Sequence, residues 1–134
     1  MLKSGVPQGG VLSTLVFIIF VADFQLWLKW AWAIVYANDT NTSVAGRSVE
    51  DVLEKLEHDA LNVLRFMSSN QLVANPAKTN LLLFNHNGDL KSAKLGDEIV
   101  EESKCAKLLG IKLEPDLKWK KQITGKDSLT SALN

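Results

Sequence analysis

Apolar and polar positions divide this chain into elements of different period. From Leu15 to Leu28 the residues are apolar on nearly every side of a helical projection, which predicts a helix that belongs inside a larger body. Gly9 and Gly10 close a loop before it, and Ser13 or Thr14 offers a cap. Ala33-Ile34-Val35-Tyr36 is a short β-favouring run that ends in the polar Asn38-Asp39, with Thr40 to Ala45 as its hairpin return. Ser48-Val49-Glu50-Asp51 then opens the clearest helix, with Ser48 as N-cap and Asp51 placed as in a capping box. Val49, Val52, Leu53, Leu56, Ala60, Val63, Leu64 and Met67 recur at helical spacing on its packing side, whereas Glu50, Glu54, Lys55, Glu57 and Asp59 fall mainly on solvated faces. After Asn75-Pro76 the period shortens. Thr79 to Phe84 reads as a buried strand, Ala93 to Val100 as a hairpin turning at Gly96-Asp97, and Lys107 to Leu113 as a further strand. Helices alternating with antiparallel strands predict an α+β layer, an antiparallel sheet with two helices packed on one face.

Composition narrows the possible partners. A formal net charge of zero over 134 residues removes any long-range field that would steer the whole molecule to nucleic acid or an anionic membrane, so such contacts must be local. No ionisable side chain lies between Ser4 and Ala22, but Pro7, Gln8, Gly9 and Gly10, then Asp23 and Lys29, interrupt any membrane-spanning segment; no membrane partner is expected. Phe20-Val21-Ala22 is not a cleavage site for a signal peptide. A single cysteine, Cys105, fits a reducing compartment and excludes an internal disulfide. Neither a repeat nor a linker is visible, and the whole of 1–134 reads as one unit.

Two segments carry chemistry. Ser4-Gly5-Val6-Pro7-Gln8-Gly9-Gly10-Val11-Leu12-Ser13 combines glycines that permit close backbone approach, a proline that stiffens the entry and a glutamine with both donor and acceptor. Downstream stands Tyr36-Ala37-Asn38-Asp39. In this order the two resemble the palm of a reverse transcriptase of the retrotransposon type without long terminal repeats, whose turn carries an aromatic residue, any residue and two aspartates. Phe66, Asn70, Leu72, Asn75, Lys78 and Thr79 are similar to that family's next block, where tryptophan is usual at the position of Phe66. Lys107-Leu108-Leu109-Gly110-Ile111, followed by Leu117 and Trp119, resembles its primer-gripping strands. Thr14 departs from the usual proline after Ser13.

The resemblance implies a partial reverse transcriptase domain over 1–134, from the glycine-rich motif to the start of the thumb, truncated at both ends. It implies RNA-templated DNA synthesis with Mg2+ as cofactor and an RNA template and DNA primer as partners, further polymerase segments being supplied by a longer chain. Gly5, Pro7, Gln8, Gly9 and Tyr36 become template- or nucleotide-binding residues, and Asn38, Asp39 and Lys78 catalytic ones. Such polymerases use two ions about 3.5 to 4 Å apart, held by hard oxygen ligands. Asn38 stands where the first aspartate of the turn belongs, and the further aspartate that the resemblance implies on a strand upstream of the glycine-rich motif is absent, leaving Asp39 and a weakened Asn38 as metal ligands. Removing a unit charge about 4 Å from another forfeits ~4 kcal/mol at an effective dielectric of 20, on the order of a thousandfold in rate. The chain is therefore expected to be catalytically impaired.

On the residues alone Lys78 is first a solvated lysine at a strand entrance; the resemblance makes it a general acid beside the departing pyrophosphate. His58 and His86 have no ligand spacing and read as solvated or turn histidines. Trp27, Trp30 and Trp32 read as packing residues. Lys118, Lys120, Lys121 and Lys126 form a modest basic cluster that could meet phosphate. A non-enzymatic nucleic-acid-binding fragment and a non-functional transposon remnant are the alternatives to an enzyme.

Overall fold

The computed structural model describes residues 11–36 and 39–117. Two compact units divide the chain, Met1–Ala74 and Asn75–Asn134.

In the first unit, helix α1 spans Val11–Phe20. It begins earlier and ends sooner than the expected Leu15 to Leu28. Its last backbone bond of helical span is Val21 N to Phe17 O, at 3.0 Å; Ala22 N then donates to Ile19 O and Phe24 N to Val21 O, so the ladder tightens from four-residue to three-residue spacing. A 3-10 turn follows at Phe24–Trp27. Leu12, Leu15, Val16, Ile18, Ile19 and Phe20 of α1 are exposed among the described residues, Leu12 to 74% and Ile19 to 66%.

Strands β1 (Trp32–Tyr36) and β2 (Asp39–Ser43) form the expected antiparallel hairpin, in register Trp32 with Ser43 through Tyr36 with Asp39. Helix α2 runs from Val49 to Ser69. Ser48 Oγ accepts from Asp51 N at 3.2 Å, as its position before the apolar repeat predicts. The reciprocal half of a capping box is displaced by one residue, because Asp51 Oδ2 accepts from Arg47 N rather than Ser48 N, and also from Lys55 Nζ one turn on. Gly46 is required beside this cap, since a Cβ there would lie 2.6 Å from Asp51 Oδ2 and 2.8 Å from Val52 Cγ2. At its other end α2 closes with Gln71 at φ 57, Gln71 N bonding Ser68 O and Leu72 N bonding Met67 O, a Schellman ending.

Within the second unit a short 3-10 turn (Pro76–Lys78) precedes hairpin β3 (Ser92–Leu95) and β4 (Glu98–Glu101), which turns at Gly96 (φ 66) and Asp97 as expected. Thr79 to Phe84 is not a strand. Leu81 makes one isolated bridge to Glu102, and Ser103 N donates to Leu81 O, so the ladder does not propagate. Its side-chain alternation survives, with Leu81 and Leu83 buried together with Ala93 and Phe84 exposed. Lys107 to Leu113 is a hairpin, β5 (Ala106–Leu108) and β6 (Ile111–Leu113), because Leu109 (φ 47) and Gly110 (φ 84) reverse the chain. Two helices and small antiparallel sheets thus give the expected α+β class, each sheet being a local pair of strands.

Candidate active-site hairpin

Of the residues singled out in the sequence, Tyr36 and Asp39 are brought together. Tyr36 is the last residue of β1, Asp39 the first of β2, and they are cross-strand partners. Both are exposed, Tyr36 to 65%. Alternation along β1 places Trp32 and Ile34 on the same exposed face as Tyr36, with Ala33 and Val35 turned the other way and half-buried. Asn38 lies outside the described residues, as do Gly5, Pro7, Gln8 and Gly9, and the basic residues Lys118, Lys120, Lys121 and Lys126 together with Trp119. Lys78 is the exposed last residue of its 3-10 turn in the second unit.

The root of the hairpin is held by a residue assigned above to solvent. Asp59 is 1% exposed, and with Phe66 (2%) it is one of the two buried residues of α2. Its carboxylate faces the turn that leads into β1. Asp59 Oδ2 accepts from Ala31 N at 2.7 Å and Trp30 N at 2.8 Å, and Lys29 N donates to Oδ1 at 3.0 Å and Oδ2 at 3.1 Å. A carboxylate only accepts, so His58 Nδ1, 3.1 Å from Oδ1, is the donor in that contact. Burial pushes the Asp59 carboxyl up, but the N–H groups of Lys29, Trp30 and Ala31, together with His58, outweigh it and hold the group below its ordinary value.

His58 is exposed, as expected, but its ring is engaged. Its ring stands edge-on to Trp30 with centroids 4.8 Å apart, and Lys29 Nζ lies 4.2 Å from the Trp30 centroid. Trp27 does pack, its ring 5.8 Å from that of Phe66, while Phe24 meets Phe66 at 4.9 Å. Phe66 thus fixes the 3-10 turn, and from that turn Gln25 reaches β1: Gln25 Nε2 donates to Ala31 O and Ala33 N donates to Gln25 Oε1, both at 2.8 Å.

Pattern reading missed Asp59 because it scored a carboxylate as polar. The signal was its position. Val52, Leu56, Asp59, Val63 and Phe66 follow a spacing of four, three, four and three, which is one face of a helix, with the aspartate where an apolar residue is expected. A charged residue inside an apolar stripe is a candidate for a buried, fully bonded group.

As a metal site the described residues fall short. Asp39 contributes one carboxylate, and among the described residues no three His, Cys, Asp or Glu side chains gather to hold an ion.

The chain is thus an α+β protein whose candidate site is an antiparallel hairpin presenting Tyr36 and Asp39. The family described as reverse transcriptase (RNA-dependent DNA polymerase) matches residues 1–113, and the chain belongs to it. Comparison with curated proteins and with solved structures gave no match. Family membership brings template and primer nucleic acid as the class of partner and divalent metal as the usual cofactor. No helix among the described residues is long and apolar enough to cross a membrane.

Proposed function

We propose that this chain is the palm portion of a reverse transcriptase of the non-LTR type in which RNA-templated DNA synthesis is strongly impaired. The observation that carries the reading is the hairpin itself: Tyr36 and Asp39 are register partners, and Asn38, immediately before Asp39, takes the place of the first metal-binding aspartate. Asp39 and the weakened Asn38 are the remaining ion ligands, Gly5, Pro7, Gln8, Gly9 and Tyr36 the template- and nucleotide-facing residues, and Lys78 the general acid. Primer extension on an RNA template with Mg2+ or Mn2+ tests this directly. Incorporation should be at least two orders of magnitude below that of an intact polymerase of the family, and comparable incorporation by this chain overturns the proposal.

A second reading, nucleic-acid binding without chemistry, is favoured by the exposed stripe Trp32, Ile34 and Tyr36, which offers two aromatic faces for base stacking. Binding of a labelled primer-template should then weaken as salt rises, and absence of binding at low salt removes this reading.

A further inference from the structure

We propose that Gln25 is a positioning residue for the Tyr36–Asp39 hairpin, its carboxamide clasping the main chain at two points, just before β1 and within it, and setting the direction in which that hairpin leaves the body of the first unit. The significance of the clasp rests on the reading of this hairpin as the polymerase turn; the clasp itself is a matter of geometry. Gln25 takes a carbonyl and an N–H two residues apart on one side of the chain, Ala31 O and Ala33 N. In an antiparallel ladder alternate residues direct their N–H away from the partner strand, and Ala33 is one of these. A carboxamide satisfies both contacts at any pH, since it donates and accepts at neighbouring atoms, whereas an ionised carboxylate would set oxygen against the Ala31 carbonyl.

The clasp has a fixed support. Phe24, 4% exposed, and Trp27 flank Gln25 on the 3-10 turn and both meet the ring of Phe66. Asp59 takes the N–H of Ala31 from the side of α2 while Gln25 takes its carbonyl, so both polar backbone groups of this buried residue are held by side chains. Ala31 becomes the fulcrum of the hairpin. Five residues of strand carry Tyr36 roughly 16 Å beyond it, so a tilt of about 10° at the fulcrum displaces the tip by roughly 3 Å. A misplacement of about 1 Å is enough to cost on the order of a hundredfold in a positioned reaction.

The test uses the full chain with Gln25→Glu and Gln25→Ala, followed by amide hydrogen exchange and by the ring resonances of Tyr36, the only tyrosine. A protonated glutamate has the shape and the donor of glutamine; an ionised one does not. At pH 7 both variants should lower the protection of Ala33 and of the β1 amides beyond it by roughly fivefold to tenfold, as loss of one or two hydrogen bonds requires. The Tyr36 ring resonances should shift, while amides within α2 stay as in the unaltered chain. Near pH 4, Gln25→Glu should return towards the unaltered protein in both readouts and Gln25→Ala should not. Unchanged hairpin protection in Gln25→Glu at pH 7 overturns the proposal, as does equal loss of protection in α2 and the hairpin, or an absence of recovery on acidification. Primer extension judges the polymerase reading separately, because the exchange and ring signals report the clasp whether or not the chain incorporates nucleotides.

Discussion

Asp59 and Phe66 lie seven residues apart on one face of α2, and each anchors a different part of the chain that leads to the hairpin. The carboxylate holds the backbone of Lys29, Trp30 and Ala31, and the ring holds Phe24 and Trp27. Asp59→Ala leaves three backbone donors without their acceptor and should destabilise the first unit by about 3–5 kcal/mol. Asp59→Asn, which keeps one acceptor oxygen, should cost about 1–3 kcal/mol. Urea unfolding followed by tryptophan fluorescence measures both, and equal stability of Asp59→Ala and the unaltered chain would contradict the assignment.

Acid sensitivity follows from the same carboxylate. The folded chain holds the Asp59 proton less tightly than the unfolded chain, so the unfolded state binds more protons at acid pH. The contribution is complete above about pH 5 and is lost as pH falls below the ordinary aspartate value, ~3.9, and through the lower folded one. Asp51, lowered by Lys55 and by the Arg47 N–H, acts in the same direction. Urea midpoints measured from pH 7 down to pH 2.5 should show a shallower acid limb in Asp59→Asn than in the unaltered chain; parallel limbs would assign the acid loss to other groups.

Placing a carboxylate at position 38 is the most direct change to the candidate chemistry. Asn38→Asp should raise affinity for Mn2+ and lift primer extension, with an upper bound on the order of a thousandfold from ~4 kcal/mol of added charge interaction at an effective dielectric of 20. Isothermal titration and extension assays check it. Identical ion affinity with and without the change would remove position 38 from the ligand set.

The β5–β6 turn is built with the wrong residue for its shape. Leu109 and Gly110 both adopt positive φ, the condition of a type I′ turn, and leucine pays a steric cost there that asparagine does not. Leu109→Asn should therefore stabilise the second unit by about 1 kcal/mol, and amide exchange at Leu108 and Ile111 should slow accordingly. A faster exchange would mean that the Leu109 side chain, 52% exposed, contributes more packing than its surroundings indicate.

Exposure along α1 separates two kinds of apolar residue in the first unit. Ile19→Lys should change stability by no more than about 0.5 kcal/mol, whereas Phe24→Ala should cost about 3–5 kcal/mol. Thermal unfolding of the two variants side by side distinguishes them; a large loss in Ile19→Lys would show that α1 is packed.

Local chemistry is what the sequence made readable. Ser48 before an apolar repeat announced α2, the β-favouring run into Asn38-Asp39 announced its hairpin, and Gly96-Asp97 announced the next turn. What depended on distant partners was not readable. Asp59 is defined by three N–H groups about thirty residues away in the chain, the clasp of Gln25 by a strand that begins seven residues later, and the fate of Thr79 to Phe84 by whether Ser103 could extend its single bond into a ladder. Leu109 escaped notice for another reason, since nothing in the leucine side chain announces a positive φ. The family blocks were legible as motifs, but Lys78 shows their limit: a motif names a residue without saying where its side chain is held.

The position of Gln25 also decides how this hairpin could grow into a broader sheet. Its side chain occupies Ala31 O, just before β1, and Ala33 N within it, which interrupts at the root of the strand the outer row a neighbouring strand would pair with. β2 has no second neighbour among the described residues. Further strands, from this polypeptide or another, would therefore join more readily beside β2, the strand that Asp39 opens.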